Sequence, residues 1–338
     1  MAANGAEPWR VLVTRNFPEA GMSILREEPN LEVVIPDEPE ASDAMPYDKM
    51  KAMLSEAPGY DALLCFLTDK IDPPLLDAAG SRLKTISTMS VGFNHMDVDA
   101  GKERGLTMGH TPDVLTNTVA DFILGMTIST MRRIPAGVKV VKDDVWGKWA
   151  PLYMCGRDVH HATVGIMGLG RIGMAVAKRL MGFDCEILYS DAFRMDERAA
   201  TVGATYVEFD DLLARSDIVI PLCPLTPETT GLFGADAFGK MKETAVLINC
   251  SRGEIVNQDA LYDALTSGSI WAAGLDVTVP EPLPASDKLV ALENCVIVPH
   301  MASATVACRE DMARIAARNV VAAHRGEKLP HAVPGTTK

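Results

Sequence analysis

Short apolar runs alternate with amphipathic stretches along most of the chain, and their spacing predicts its elements. Runs over 10–14, 31–35, 61–65 and 84–88 read as buried strands. Between them, 21–28, 47–56 and 74–79 read as short helices, the last with proline at its start. The acidic, proline-punctuated stretch 36–46 reads as a loop. Strands alternating with helices imply a parallel sheet, so this first part is a small α/β unit. Residues 118–132 are apolar almost all round and predict a buried helix linking two lobes. The segment 133–161 shows no clear period and carries Trp146, Trp149, Pro151, Tyr153 and the adjacent His160 and His161, which suits an excursion that packs on something. The α/β alternation then resumes, with strands expected at 187–189, 218–221, 245–249, 272–276 and 295–298 and a final helix over 309–324. The two halves share a plan without a sequence repeat.

Residues 163–191 stand out. A short apolar run (Val164, Ile166, Met167) meets Gly168-Leu169-Gly170-Arg171-Ile172-Gly173, an amphipathic segment follows, and a second run (Ile187, Leu188, Tyr189) leads through Ser190 to Asp191. That is strand, glycine turn, helix, strand. The first glycine permits the tight turn, the second admits a pyrophosphate to the backbone, and the third lets helix and strand pack closely. The helix N-terminus offers N–H groups to phosphate. A glycine turn alone is weak evidence against an ordinary βαβ turn, but Asp191 lies about 20 residues on, where a carboxylate accepts from the adenosine ribose. A dinucleotide site is therefore expected.

Composition narrows the classes. The 338 residues leave room for two domains, and 48% hydrophobic with 23% charged residues describe a soluble globular protein. A net charge of -13 argues against a nucleic-acid surface, which needs clustered Lys and Arg. The seven cysteines show no CxxC spacing, so neither a metal site nor a disulfide framework is expected. No leader pattern or membrane-length apolar run is found, and a cytoplasmic location is the expectation.

Three further stretches sit just beyond predicted strand ends, where open α/β sheets bind ligands. Arg252 follows the run Ile248-Asn249-Cys250-Ser251; Glu281 lies between Pro280 and Pro282 on a stiff loop; His300 follows Val298-Pro299. Each has an ordinary reading taken alone: a surface ion pair, a rigid turn, a structural histidine. Together they suggest a mechanism. Arginine grips a carboxylate bidentately, histidine gives a proton near neutral pH, and a neighbouring carboxylate orients the ring. With hydride from a nicotinamide, the sum is reduction of a 2-oxo acid to a 2-hydroxy acid.

The pattern resembles the D-isomer-specific 2-hydroxyacid dehydrogenases, and within them the animal branch that reduces glyoxylate and hydroxypyruvate. The likeness spans essentially the whole chain. Its specific pieces include 86–92 (ISTMSVG), 111–116 (TPDVLT), 164–173, 241–245 (MKETA), Ser251-Arg252-Gly253, 274–278 and Pro299-His300. The resemblance implies two Rossmann-like domains, the cofactor domain (111–301) inserted into a flavodoxin-like substrate domain (8–110 and 302–331). It implies His300 as proton donor, Glu281 as its acidic partner and Arg252 as the group holding the substrate's carboxylate and carbonyl. Val91 and Gly92 match the turn whose N–H groups bind that carboxylate, and Ser303 falls beside the substrate. Asp276 matches the residue near the nicotinamide carboxamide, while Pro224 and Cys250 match positions lining the cofactor. The excursion at about 133–161 resembles an arm that crosses to a second subunit of a homodimer, with Trp149 closing the partner's active site.

One departure concerns the cofactor. Where NADPH-using members commonly end the second strand on glycine or serine followed by arginine, this chain has Tyr189-Ser190-Asp191. Aspartate accepts from both ribose hydroxyls and repels a 2′-phosphate, so NAD(H) is expected over NADP(H). Arg194, close by, could instead receive that phosphate. Two other functions fit the same motifs: reduction of another 2-oxo acid in the manner of D-lactate dehydrogenase, and NAD(H) sensing by a corepressor-like binding protein.

Overall fold

A computed structural model of the chain describes residues 7–36 and 44–336, so 37–43 of the expected loop 36–46 lie outside the described residues. The chain forms two compact units, Met1–Leu115 with Ala304–Lys338, and Thr116–Ser303. In sequence, the second interrupts the first.

The first unit runs through β1 (Trp9–Val13), α1 (Glu19–Glu27), β2 (Leu31–Val34), α2 (Tyr47–Ser55), β3 (Ala62–Cys65), α3 (Pro73–Ala79), β4 (Thr85–Thr88), α4 (Val98–Glu103) and β5 (Thr107–Gly109). The second contains α5 (Thr116–Met131), α6 (Ile134–Lys142), β6 (Thr163–Met167), α7 (Arg171–Leu180), β7 (Glu186–Ser190), α8 (Asp196–Ala200), β8 (Ala204–Tyr206), α9 (Phe209–Arg215) and β9 (Ile218–Pro221). It continues with α10 (Ala235–Lys240), β10 (Val246–Asn249), α11 (Gln258–Ser267), β11 (Ala272–Leu275) and β12 (Cys295–Ile297), and α12 (Val306–His324) then belongs to the first unit again.

In the first unit five parallel strands are ordered β2-β1-β3-β4-β5, the flavodoxin-like order. Strands β3 and β4 are buried along their whole length, which is why they read as continuous apolar or small-residue runs rather than as alternation. Side chains still alternate across the sheet. Leu12, Leu63 and Ile86 join the core that Met50 of α2 and Leu75 of α3 complete, while Val11, Val13 and Leu64 face the opposite core with Met22 of α1 and Ala316 of α12.

The two helices of that second core are also tied at their ends. Buried Glu28 accepts from Arg325 through both oxygens (Nε 3.1 Å, Nη2 2.6 Å) and lies 3.0 Å from His324 Nδ1. The hydrogen bonds from Arg325, helped by His324 and opposed by burial, hold its carboxyl below the usual carboxylate range. A carboxyl depressed in the folded state stabilises at pH above its ordinary value, about 4.3, and loses that contribution as pH falls through the lower folded value. Glu28→Gln should therefore lower the unfolding midpoint by about 2–4 °C at neutral pH. Thermal melts should show this difference narrowing as pH falls below the ordinary carboxylate range.

Seven parallel strands form the second unit's sheet, ordered β12-β11-β10-β9-β6-β7-β8. The chain starts in the middle at β6, builds outward to β7 and β8, then returns to β9 on the other side and continues to the opposite edge. The β6/β9 boundary is thus the topological switch point, where such sheets open a crevice beyond the strand C-termini.

Two expectations need correction here. Helix α5 buries only one face, formed by Val119, Ala120, Ile123, Met126, Thr127, Thr130 and Met131. The aperiodic segment 133–161 contains a helix, α6, whose apolar residues Ile134, Val138 and Val141 do keep helical spacing but remain exposed. No core among the described residues receives that stripe. Beyond it Val145, Trp146, Trp149 and Leu152 are exposed as well, Trp149 at 83%.

Candidate active site

Beyond the C-terminal ends of the second unit's strands lie the glycine turn after β6, Asp191 after β7, Pro224 after β9, Cys250 and Arg252 after β10, Asp276 after β11 and His300 after β12. One edge of one sheet thus presents nearly every residue singled out from the sequence. Val91 and Gly92 follow β4 in the first unit, where the Val91 carbonyl lies 2.9 Å from His110 Nδ1 and the Gly92 carbonyl accepts from Ser90 Oγ at 2.7 Å.

The three glycines meet different constraints. Gly168 has φ +101, and a Cβ there would lie 2.8 Å from the backbone of residues 222–223, so both conformation and packing require glycine. At Gly173 a Cβ would come within 2.3 Å of the Gly168 carbonyl. Gly170 is different: a Cβ would meet nothing within 4 Å, and its φ is ordinary. Packing within the chain does not explain this glycine, whereas a pyrophosphate lying against the turn at the start of α7 does.

Asp191 is locked to the same turn. Its Oδ2 accepts the Leu169 N–H at 2.8 Å, and Oδ1 makes only a longer contact, 3.4 Å, with the Phe193 N–H. Arg194 turns toward Asp196 at 3.3 Å and stacks over the Tyr206 ring at 4.8 Å, so its guanidinium is engaged away from Asp191. Exposed Pro224 closes the loop after β9 through its carbonyl, which accepts from Thr229 Oγ1 at 2.7 Å. Cys250 remains a thiol, since burial and the nearby Asp276 push its pKa well above the ordinary value.

His300 and Glu281 meet directly, with Nδ1 2.8 Å from Oε2. Fixing Nδ1 against a carboxylate leaves Nε2 as the outward ring nitrogen. Glu281 is itself held, its Oε1 accepting the Thr278 N–H at 2.9 Å. Burial raises the Glu281 pKa, but the His300 hydrogen bond and charge, the Thr278 N–H and Arg252 together outweigh it and keep the carboxyl below the usual range. The ring sits on a turn with φ +48 at His300, and buried Asp276 secures that turn. The Asp276 carboxylate accepts from Met301 N–H at 2.6 Å and Ala302 N–H at 3.0 Å, and its carbonyl accepts the His300 N–H at 2.9 Å. Burial raises the Asp276 pKa despite these two N–H groups. The buried Ser303 ends the same turn.

Arg252 forms no ion pair among the described residues, and the one hydrogen bond of its side chain there runs from Nη1 to the Ser251 carbonyl at 2.7 Å. Burial lowers its pKa against the opposing pull of Glu254 and Glu281, yet guanidinium stays charged in proteins. A partly buried cation with donors to spare is suited to an anionic ligand. Sequence reasoning missed Thr278, which fixes Glu281, and the part Asp276 plays in shaping the His300 turn. The only signal was their place directly after β11.

The geometry agrees with the family suggested by the motifs. Residues 124–302 match the NAD-binding domain of the D-isomer specific 2-hydroxyacid dehydrogenases. The chain belongs to this family. It is 46% identical over 322 residues to the human glyoxylate reductase/hydroxypyruvate reductase, covering 95% of this chain and 96% of that protein. A glyoxylate reductase of Thermofilum pendens is 44% identical over 323 residues, 95% of this chain and 93% of its own. Among solved structures, an NADPH-dependent glyoxylate/hydroxypyruvate reductase of Sinorhizobium meliloti, in complex with NADP and malonate, is similar with a TM-score of 0.83 and 29% identity, covering 98% of each chain. The 2-hydroxyacid dehydrogenase fold thus extends over both units' sequences, and no described helix is long and apolar enough to cross a membrane.

Proposed function

We propose that this dehydrogenase reduces glyoxylate to glycolate and hydroxypyruvate to D-glycerate, with NADH as the preferred cofactor. The observation that carries the reading is the His300–Glu281 pair beside Arg252, on the sheet edge that also holds the glycine turn. The identity of the 2-oxo acids rests on the names of the human and archaeal relatives.

Arg252 binds the substrate carboxylate and, with it, orients the adjacent carbonyl. Ser303 lies beside the substrate. The glycine turn and the start of α7 hold the pyrophosphate, Asp191 the ribose, and Pro224, Cys250 and Asp276 line the remainder of the cofactor site. When bound, the nicotinamide supplies hydride to the carbonyl carbon. His300 delivers a proton from Nε2 to the carbonyl oxygen, and Glu281 keeps the ring oriented and balances its charge. The reverse reaction uses the same groups, with His300 taking the alcohol proton.

The exposed stripe of α6 and the apolar residues through Tyr153 support a homodimer, in which this arm lies on the second copy and Trp149 closes the partner's site. A cytoplasmic location fits the reduced cysteines, all seven of which are free. The test is initial rates with glyoxylate, hydroxypyruvate and pyruvate against NADH and NADPH. The first two substrates should give the highest kcat/KM, and a clear preference for pyruvate would reassign the chain to the D-lactate dehydrogenase type.

A further inference from the structure

Away from the sheet edge that carries the chemistry, the turns leading into β6 and β7 bring together His160, His161 and Asp184. Among the described residues these form the one group of three metal-ligating side chains, with ligand atoms all within 4.8 Å of one another. His160 Nε2 lies 3.7 Å from Asp184 Oδ2, and the two imidazole centroids are 3.6 Å apart. We propose that His160, His161 and Asp184 bind a divalent transition-metal ion of the zinc class.

The two turns are already fastened to each other, so little has to be ordered on binding. The His161 N–H donates to the Phe183 carbonyl at 3.0 Å, Glu186 N–H to Ala162 at 3.1 Å, and Cys185 Sγ to Val159 at 3.2 Å. Strand pairing begins at once beyond them, Thr163 opposite Glu186. Tetrahedral zinc with ligand bonds of about 2.0–2.2 Å sets its ligand atoms roughly 3.3–3.6 Å apart. The observed spacing needs only small side-chain rotations, which are inexpensive because all three residues are exposed.

Two imidazoles and one carboxylate favour zinc, cobalt, nickel or copper over magnesium and calcium, which prefer oxygen ligands. Water completes the shell. Cys185, although adjacent, stays outside the ligand set, because its thiol donates to the Val159 carbonyl at 3.2 Å. The cysteine spacing could not have revealed this site, because its ligands are two histidines and an aspartate on the turns before two neighbouring strands, about twenty residues apart in sequence. The bound ion would clamp the N-terminal ends of β6 and β7, whose other ends carry the glycine turn and Asp191.

The experiment is calorimetric titration of the untagged full-length protein with zinc and, separately, magnesium, alongside His160→Ala, His161→Asn and Asp184→Asn. Asparagine retains the left-handed backbone preference needed at 161 and 184, where φ is +62 and +54. We expect one zinc per chain, no magnesium binding, and a loss of affinity of at least about tenfold to a hundredfold in each histidine variant, as even outer-shell changes cost that much. NADH affinity, measured on the same samples, should be unchanged, which shows the variants folded. Zinc binding with the parent's affinity in both histidine variants would overturn the proposal, as would a parent protein that binds no zinc.

Discussion

Changing His300 to alanine lowers kcat for hydroxypyruvate reduction by about two to four powers of ten, the contribution a positioned general acid makes. NADH affinity should stay within a few-fold of the parent, because the glycine turn and Asp191 are built on β6 and β7 while His300 follows β12. The substitution should also fold. The ring is partly exposed, with a side-chain accessibility of 29%, and the turn that bears it is secured by Asp276 through the backbone N–H groups of residues 301 and 302. What the variant loses is the hydrogen bond to Glu281 and the proton at Nε2. Steady-state kinetics with fluorescence titration of NADH separate these effects. Collapse of NADH binding with high residual turnover would make His300 a structural residue.

The second large effect concerns the cofactor. With Asp191 fixed on the Leu169 N–H, a 2′-phosphate would have to settle beside a carboxylate that cannot swing away without breaking that bond. Unit charges about 4 Å apart repel by roughly 4 kcal/mol at an effective dielectric of 20, and solvent reduces this. A net penalty of about 2–4 kcal/mol corresponds to roughly a thirtyfold to thousandfold preference in kcat/KM for NADH. Arg194 does not offset it while engaged with Asp196 and Tyr206. Asp191→Ser should reduce the preference mainly by weakening NADH and partly by admitting NADPH. An unmutated protein that prefers NADPH would contradict this, and would point to Arg194 leaving Asp196 for the phosphate. The similar reductase from Sinorhizobium meliloti is NADPH-dependent.

The buried strands were legible because parallel sheets covered on both faces leave unbroken apolar runs, as in β3 and β9. Short polar elements were not. Edge strand β8 has no buried residue, and α10 spans six residues, so neither leaves a periodic trace. Helix α11 had a different signal: Asn257 caps it by accepting the Ala260 N–H, and Gly268 ends it in the left-handed conformation. The stripe of α6 was present in the sequence but was obscured by the aromatic residues that follow, and nothing among the described residues buries it.

Of the site, the glycine turn and the Arg252, Glu281 and His300 positions were readable because each follows an apolar run. Their meeting was not. That His300 touches Glu281, and that Asp276 and Thr278 hold the two in place, depends on loops after β11 and β12 whose path has no sequence period. Asp191 was legible as a ribose-binding acid, while its bond to Leu169, which makes it rigid, required the fold.

The most direct measurement is product analysis after hydroxypyruvate and NADH are mixed with the purified protein. One D-glycerate should form for each NADH oxidised, with no L-glycerate. Retained NADH binding without turnover of hydroxypyruvate or glyoxylate would contradict the account and favour a cofactor-sensing protein.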